Sequence, residues 1–191
     1  MPWQGVRRIV TGTESGRSRA ISDGRSPGVF QFPKDSFDVI WRASKMPPLS
    51  GDSNELGGVD RYTMQPSPGT VTWVVLEIAP ELGATDSAPD TSEAGSSSRR
   101  RFDDAGVYEP GGTGWHRTDT LDFVVVVKGH VDLELDDGVH SLGPGDCIVQ
   151  TGTRHRWVNR GASPCVLSGV IIGARKSDSS PNAASIQVGP Q

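Results

Sequence analysis

The chain has 191 residues, of which 24 are Gly and 14 are Pro, about a fifth of all positions against roughly 12% in an average protein. That density of breakers excludes a helical bundle or coiled coil, and the length fits one domain, or a domain with an arm, whose core needs no disulfide staples. Nineteen Lys+Arg against 23 Asp+Glu give a net charge of −4, so no global basic field recruits nucleic acid or an anionic membrane. No apolar run approaches the ~18 residues of a membrane span. The N-terminus, Met-Pro-Trp-Gln-Gly, has no apolar signal-peptide core, and a cytoplasmic protein is expected.

In chain order, the first half offers short strands at Val6–Val10, Ser18–Ser22, Val29–Phe32 and Phe37–Ala43, parted by Gly, Ser, Asp and Pro turns. Residues 44–69 are Pro- and Gly-rich but keep Leu49, Leu56, Val59, Tyr62 and Met64, which predicts an ordered loop wrapping the domain. Thr70–Pro80 alternates as a strand, with Thr72, Val74, Leu76 and Ile78 on one face and Val71, Trp73, Val75 and Glu77 on the other. Apolar residues on both faces predict a cover over the outer one, from the N-terminal strands or from a second copy. Trp41, Trp73 and Trp157 are expected to pack in the core or between sheets. Residues 83–101 are Ser-, Asp- and Pro-rich and read as a mobile insertion, with Arg99–Arg101 as part of a solvated loop. Strands follow at 113–119, 121–128, 130–136, 139–142, 146–150, 154–159 and 165–173, joined by Gly-rich turns. The tail from Lys176 is polar, with weak strand character only at Ser185–Val188. Short strands at regular spacing predict an all-β, antiparallel sandwich or barrel. Cys147 and Cys165 lack CxxC spacing and read as small core residues.

From Trp115 to Gly129 the even positions His116, Thr118, Thr120, Asp122, Val124 and Val126 share one strand face. Val124 and Val126 mark that face as the interior. An ionised Asp122 beside them needs a partner: a nearby cation such as a histidine–metal site, or Arg117, Arg154 or a Thr hydroxyl. His130 and His140 flank turns and read as surface residues. Arg117, Asp119, Arg154 and Arg156 read as rim or outer-face charges, with Arg154 a weak catalytic candidate because it adjoins His155. Tyr62, on the wrapping loop, is a second weak candidate for acid/base chemistry over the mouth. Gly111-Gly112-Thr113-Gly114 is no phosphate loop, because no helix follows it.

Further on, a Pro144-Gly145-Asp146 turn leads through Cys147–Gln150 and Gly152 to His155 and, three residues on, Asn159. These two segments together resemble the cupin superfamily, specifically its small single-barrel members. The family's first motif is His-x-His, three or four residues, Glu, six residues, Gly; here stand His116, Thr118, Asp122 and Gly129. Its second motif is met by Gly145-Asp146, Gly152, His155 and Asn159. The match covers about residues 105–173.

The resemblance implies an antiparallel double-stranded β-helix, or jelly roll, with extra N-terminal strands. Residues 1–69 would be strands and loop packed on a barrel of residues 70–175, and 176–191 a flexible tail. It also implies a divalent metal (Fe, Zn, Ni or Mn) held by His116, Asp122 and His155, with Thr118 a weak or water-mediated ligand in place of the second histidine. Thr118, Thr120 and Trp157 would line a substrate pocket. The implied function is a metal-dependent enzyme acting on a small organic acid or oxygenated metabolite, with lyase-type decarboxylation, dehydration or isomerisation through a metal-stabilised enolate. The alternatives are an Fe(II) dioxygenase and a non-catalytic ligand-binding protein. Expected partners are a small-molecule substrate and a second copy of the chain, with neither nucleic acid nor membrane.

Overall fold

The computed structural model describes residues 5–26, 28–32, 35–43, 62–81, 102–103 and 106–175. All the regular elements among them are strands, and no helix among them is long and apolar enough to cross a membrane. The expected insertion at 83–101, the Arg99–Arg101 cluster, the 176–191 tail and the 44–61 part of the wrapping loop lie outside the described residues.

Strands β1 (Arg7–Glu14) and β2 (Arg17–Arg25) form a separate hairpin. Next come β3 (Gly28–Gln31), β4 (Ser36–Ala43), the two-residue β5 (Tyr62–Thr63), β6 (Val71–Ile78) and the two-residue β7 (Phe102–Asp103), which pairs parallel to β5. The remainder is β8 (Thr120–Lys128), β9 (Val131–Leu135), β10 (Gly138–Leu142), β11 (Cys147–Gln150), β12 (Arg156–Val158) and β13 (Cys165–Gly173). A six-stranded sheet runs in the order β11-β8-β13-β6-β4-β3, and a three-stranded sheet in the order β10-β9-β12; both are antiparallel throughout. The sequence-derived jelly-roll architecture is what this pairing builds.

Side-chain alternation decides where the core sits. On β6, Thr72, Val74 and Ile78 are buried on the inner face, as their parity predicts. One apolar cluster joins Phe30, Phe37, Val39, Tyr62 and Val74 at the β3–β4 end of the large sheet. A second joins Ile78, Val126, Val131, Cys165 and Leu167, with Leu142, Ile148 and Trp157 packed against it, and so ties the two sheets face to face. Each such side chain contributes about 1.5–3 kcal/mol by leaving water. Leu76 touches both clusters. Between them β13 carries Gly169, in register with Val74 on one side and Val124 on the other. Gly169 brings no side chain to that inward position and lines a cavity beside the two clusters.

Several expectations change. The segment 113–119 is not a strand: it is irregular, with bends at Thr113 and Asp119 and only His116 bridged, to Tyr108 and to His155, and Gly114 sits at φ +79°, a left-handed backbone that interrupts a strand. The N-terminal strands β3 and β4 extend the large sheet at its edge beside β6 and do not cover its outer face. Trp73 is therefore 47% exposed there, its indole N–H donating to Ser168 Oγ at 2.9 Å. Cys147 is exposed and Cys165 buried, both as free thiols.

Candidate functional site

The cavity between the two clusters measures about 650 Å³, within the usual range of small-molecule pockets. Its lining includes His116, Thr118, Thr120, Asp122 and Val124, the parity series read from the sequence, together with His155 and Trp157. The expected pocket residues Thr118, Thr120 and Trp157 are thus all brought to one place.

His116 and His155 face each other as an antiparallel pair. His116 N–H donates to His155 O at 2.9 Å and His155 N–H to His116 O at 3.0 Å. Residues directly opposite in such a pair project to the same face, and the imidazole centroids lie 4.2 Å apart. Gly152 makes this approach feasible. At φ +67° it turns the chain between β11 and His155, and a Cβ there would lie 3.0 Å from Thr118 O. Each ring is held through Nδ1: His116 Nδ1 is 2.9 Å from Gly114 O, and His155 Nδ1 is 2.9 Å from Thr153 O. A carbonyl only accepts, so both bonds place the proton on Nδ1 and leave Nε2 of each ring as the lone-pair nitrogen. Burial lowers both imidazoles' proton affinity, helped at His155 by the adjacent His116; His155 is pushed down to about 4. Both stay neutral at pH 7.

Asp122 lies on β8 opposite Gln150 of β11 and Ile171 of β13. Burial raises its carboxyl to about 6, against a smaller lowering by a hydrogen bond from Thr120. The Thr-hydroxyl partner considered for Asp122 is therefore the one it has, and Thr118 Oγ1 in turn bonds Thr120 Oγ1 at 2.7 Å. Asp122 Oδ1 is buried with no hydrogen-bond partner. An unsatisfied buried acceptor costs about 1–3 kcal/mol, a penalty a bound ligand can relieve.

The metal expectation meets the geometry here. His116 and His155 are paired, but among the described residues no group of three or more His, Cys, Asp or Glu side chains could hold a metal ion. Asp122 is one methylene shorter than the motif's Glu and remains at the β8 wall, and the Thr118 hydroxyl is engaged by Thr120. The donors do not fit the three-ligand cage expected from the sequence.

The two weak catalytic candidates also move. Arg154 does not line the cavity: it bridges Glu109 and Asp136 and lies over the Trp115 ring, 3.9 Å from its centroid. That arrangement pins the segment carrying His116 to the segment carrying His155, matching the rim reading of this charge. Tyr62 is not a group free to close over the mouth. It is buried between Phe30 and Phe37, and burial raises its phenol well above the ordinary range, so it stays protonated. His130 and His140 are exposed, as expected.

Two contributors escaped the sequence reading. Gln150 is buried beside Asp122 and its Nε2 donates to Thr153 O at 3.3 Å, fixing the carbonyl that accepts from His155 Nδ1; its register opposite Asp122 was the available signal. Tyr108 pairs with His116 across a bridge and stacks 5.0 Å from its ring at the half-exposed rim. Nothing in its local pattern pointed there.

A family model described as a cupin domain matches residues 106–172. Phomopsin biosynthesis cluster protein C' of Diaporthe leptostromiformis is 37% identical over 137 residues, covering 62% of this chain and 70% of that protein. The chain belongs to the cupin superfamily. Oryzines biosynthesis cluster protein J of Aspergillus oryzae is 50% identical over 46 residues, 24% of this cupin and 26% of that protein, so this chain matches only about a quarter of that relative's length. Among solved structures, the polyketide cyclase RemF from Streptomyces resistomycificus is similar at a TM-score of 0.41 and 15% identity, covering 88% of this chain and 77% of that one.

Proposed function

We propose that this cupin is a biosynthetic enzyme that moves protons on a small molecule, an isomerase or dehydratase working through an enol. The observation that carries the reading is the His116–His155 pair: two neutral imidazoles held by Nδ1 on one wall of a cavity. One Nε2 takes a proton from a carbon beside a carbonyl, and that proton is returned at another position by the same or the second ring. No co-reactant is needed; where a β-hydroxyl is present, it takes up the proton and leaves as water. Arg154 and Gln150 position the pair, and the apolar walls exclude water. Relatives named for biosynthesis clusters support a biosynthetic setting. Dioxygenation by Fe(II) would need a third ligand near the two histidines, and the position of Asp122 does not favour it.

The outer sheet face supports a second copy as partner. Val149, Phe123, Val170, Trp73 and Trp41 stand in register across five strands, and Val149, Phe123 and Trp73 are exposed. A broad exposed apolar row of this kind suits an interface.

Hydrogen–deuterium exchange tests the activity. With 2-tetralone, a neutral enolisable ketone, in D2O, the protein is expected to speed exchange at the carbons beside the carbonyl, and His116→Ala to remove the acceleration. Exchange equal to buffer, or undiminished in His116→Ala, overturns the reading.

A further inference from the structure

Among the described polar groups lining the cavity, one buried side-chain atom has no hydrogen-bond partner. Asp122 Oδ1 is buried without a hydrogen-bond partner, on a wall otherwise made largely of rings and aliphatic side chains. Phe32, Phe37, Tyr62, Tyr108 and Trp157 supply the rings around it. We propose that the cavity is built for a neutral ligand of aromatic-ring size bearing a phenolic or enolic hydroxyl, whose O–H donates to Asp122 Oδ1.

The number and type of open hydrogen-bonding groups select this class. Thr118 and Thr120 bond to each other, and Thr120 also bonds the Asp122 carboxyl. That chain leaves Oδ1 as the acceptor still open at this point. A hydroxyl brings one donor and satisfies it fully. An ammonium brings a full charge, and stripping its hydration among apolar walls costs more than one carboxylate oxygen returns. A carboxylate brings no donor and sets like charge against Asp122. Flat rings fill the remaining space, because offset and edge-on packing against aromatic walls is favourable beyond the area buried. The organic acids expected from the sequence are thus a poor match for this wall.

The inference rests on the proposed function only in placing the ligand in the same cavity. In an enolising reaction the hydroxyl at Asp122 would be the enol oxygen, with the two imidazoles acting on carbon.

Equilibrium dialysis of the full chain at about pH 7 tests it with three probes sharing one ring system: 2-naphthol, 2-naphthoate and 2-naphthylmethylammonium. The naphthol is expected to bind at least about tenfold tighter than either ion, the ratio given by one good hydrogen bond to a charged acceptor. In Asp122→Asn, which removes the charge and keeps the shape, the naphthol-to-naphthoate ratio should fall about fivefold or more, a comparison made within one variant and so independent of how much of it folds. Either ion binding within about threefold of the naphthol, or a ratio unchanged in Asp122→Asn, overturns the proposal. His116→Ala separates the two readings. It should abolish exchange on 2-tetralone and keep the naphthol preference; surviving exchange would remove the proton-transfer reading alone, and a lost preference would remove this one.

Discussion

The two faces of β8 invert the usual pattern of a protein sheet. The inward series Thr120, Asp122 and Val124 mixes polar groups with apolar ones around a cavity, and Thr120 is only 3% exposed. The outward series includes Phe123 and Val127, apolar and about half exposed. Buried polar groups are costly unless they serve something, and exposed apolar rows are uncommon unless something covers them. The proposed function accordingly places chemistry on the inner face and association on the outer one.

The largest expected effect separates the histidines from everything else on the inner face. His116→Ala and His155→Ala should each lower the 2-tetralone exchange rate by about 10²- to 10⁴-fold, the usual contribution of a general base, with unfolding midpoints little changed. Packing gives the next contrast. Leu167→Ala, in the cluster that joins the sheets, should cost about 2–5 kcal/mol in urea unfolding, while Val127→Ala on the outer face of an isolated chain should stay within about 0.5 kcal/mol. Sedimentation then sharpens the outer-face assignment: a mass of twice the chain at micromolar concentration, reduced to that of one chain by Trp73→Lys, is expected, and a single-chain mass at high concentration would return that face to solvent.

The smallest effect lies on the outside of the small sheet. There Arg156, and then Arg160, hold the Glu134 carboxyl below its ordinary value. A depressed carboxylate contributes stability that is present above the unfolded value and is lost as pH falls through the folded one. The unfolding free energy should decline below about pH 4.5, and Glu134→Gln should remove its share of that decline, less than about 1 kcal/mol, as read from urea midpoints at successive pH values.

Much of the inner face was legible from period alone. The even positions from His116 to Val124 reach one cavity although 113–119 is not a strand, because the bridges at His116 restore the facing that the bends would otherwise lose. The strand at 165–173 appears with its expected bounds because β-branched and aliphatic residues crowd a fully paired central strand. What sequence could not give was distance. The motif spacing made Asp122 a ligand, but one missing methylene and the Thr118–Thr120 bond decide its partner, and neither shows in a spacing. The surroundings of Tyr62 and Arg154 were hidden for a related reason: their neighbours, Phe30 and Phe37 for one and Glu109 and Asp136 for the other, are remote in sequence.

The central claim is that His116 and His155 form a proton-transfer pair and not two corners of a three-ligand metal site. Elemental analysis of the wild-type protein beside His155→Ala, after incubation with Fe, Zn, Ni and Mn and dialysis, tests it most directly. The account predicts well below one metal per chain in both proteins. One equivalent retained by the wild type and lost in His155→Ala would contradict it.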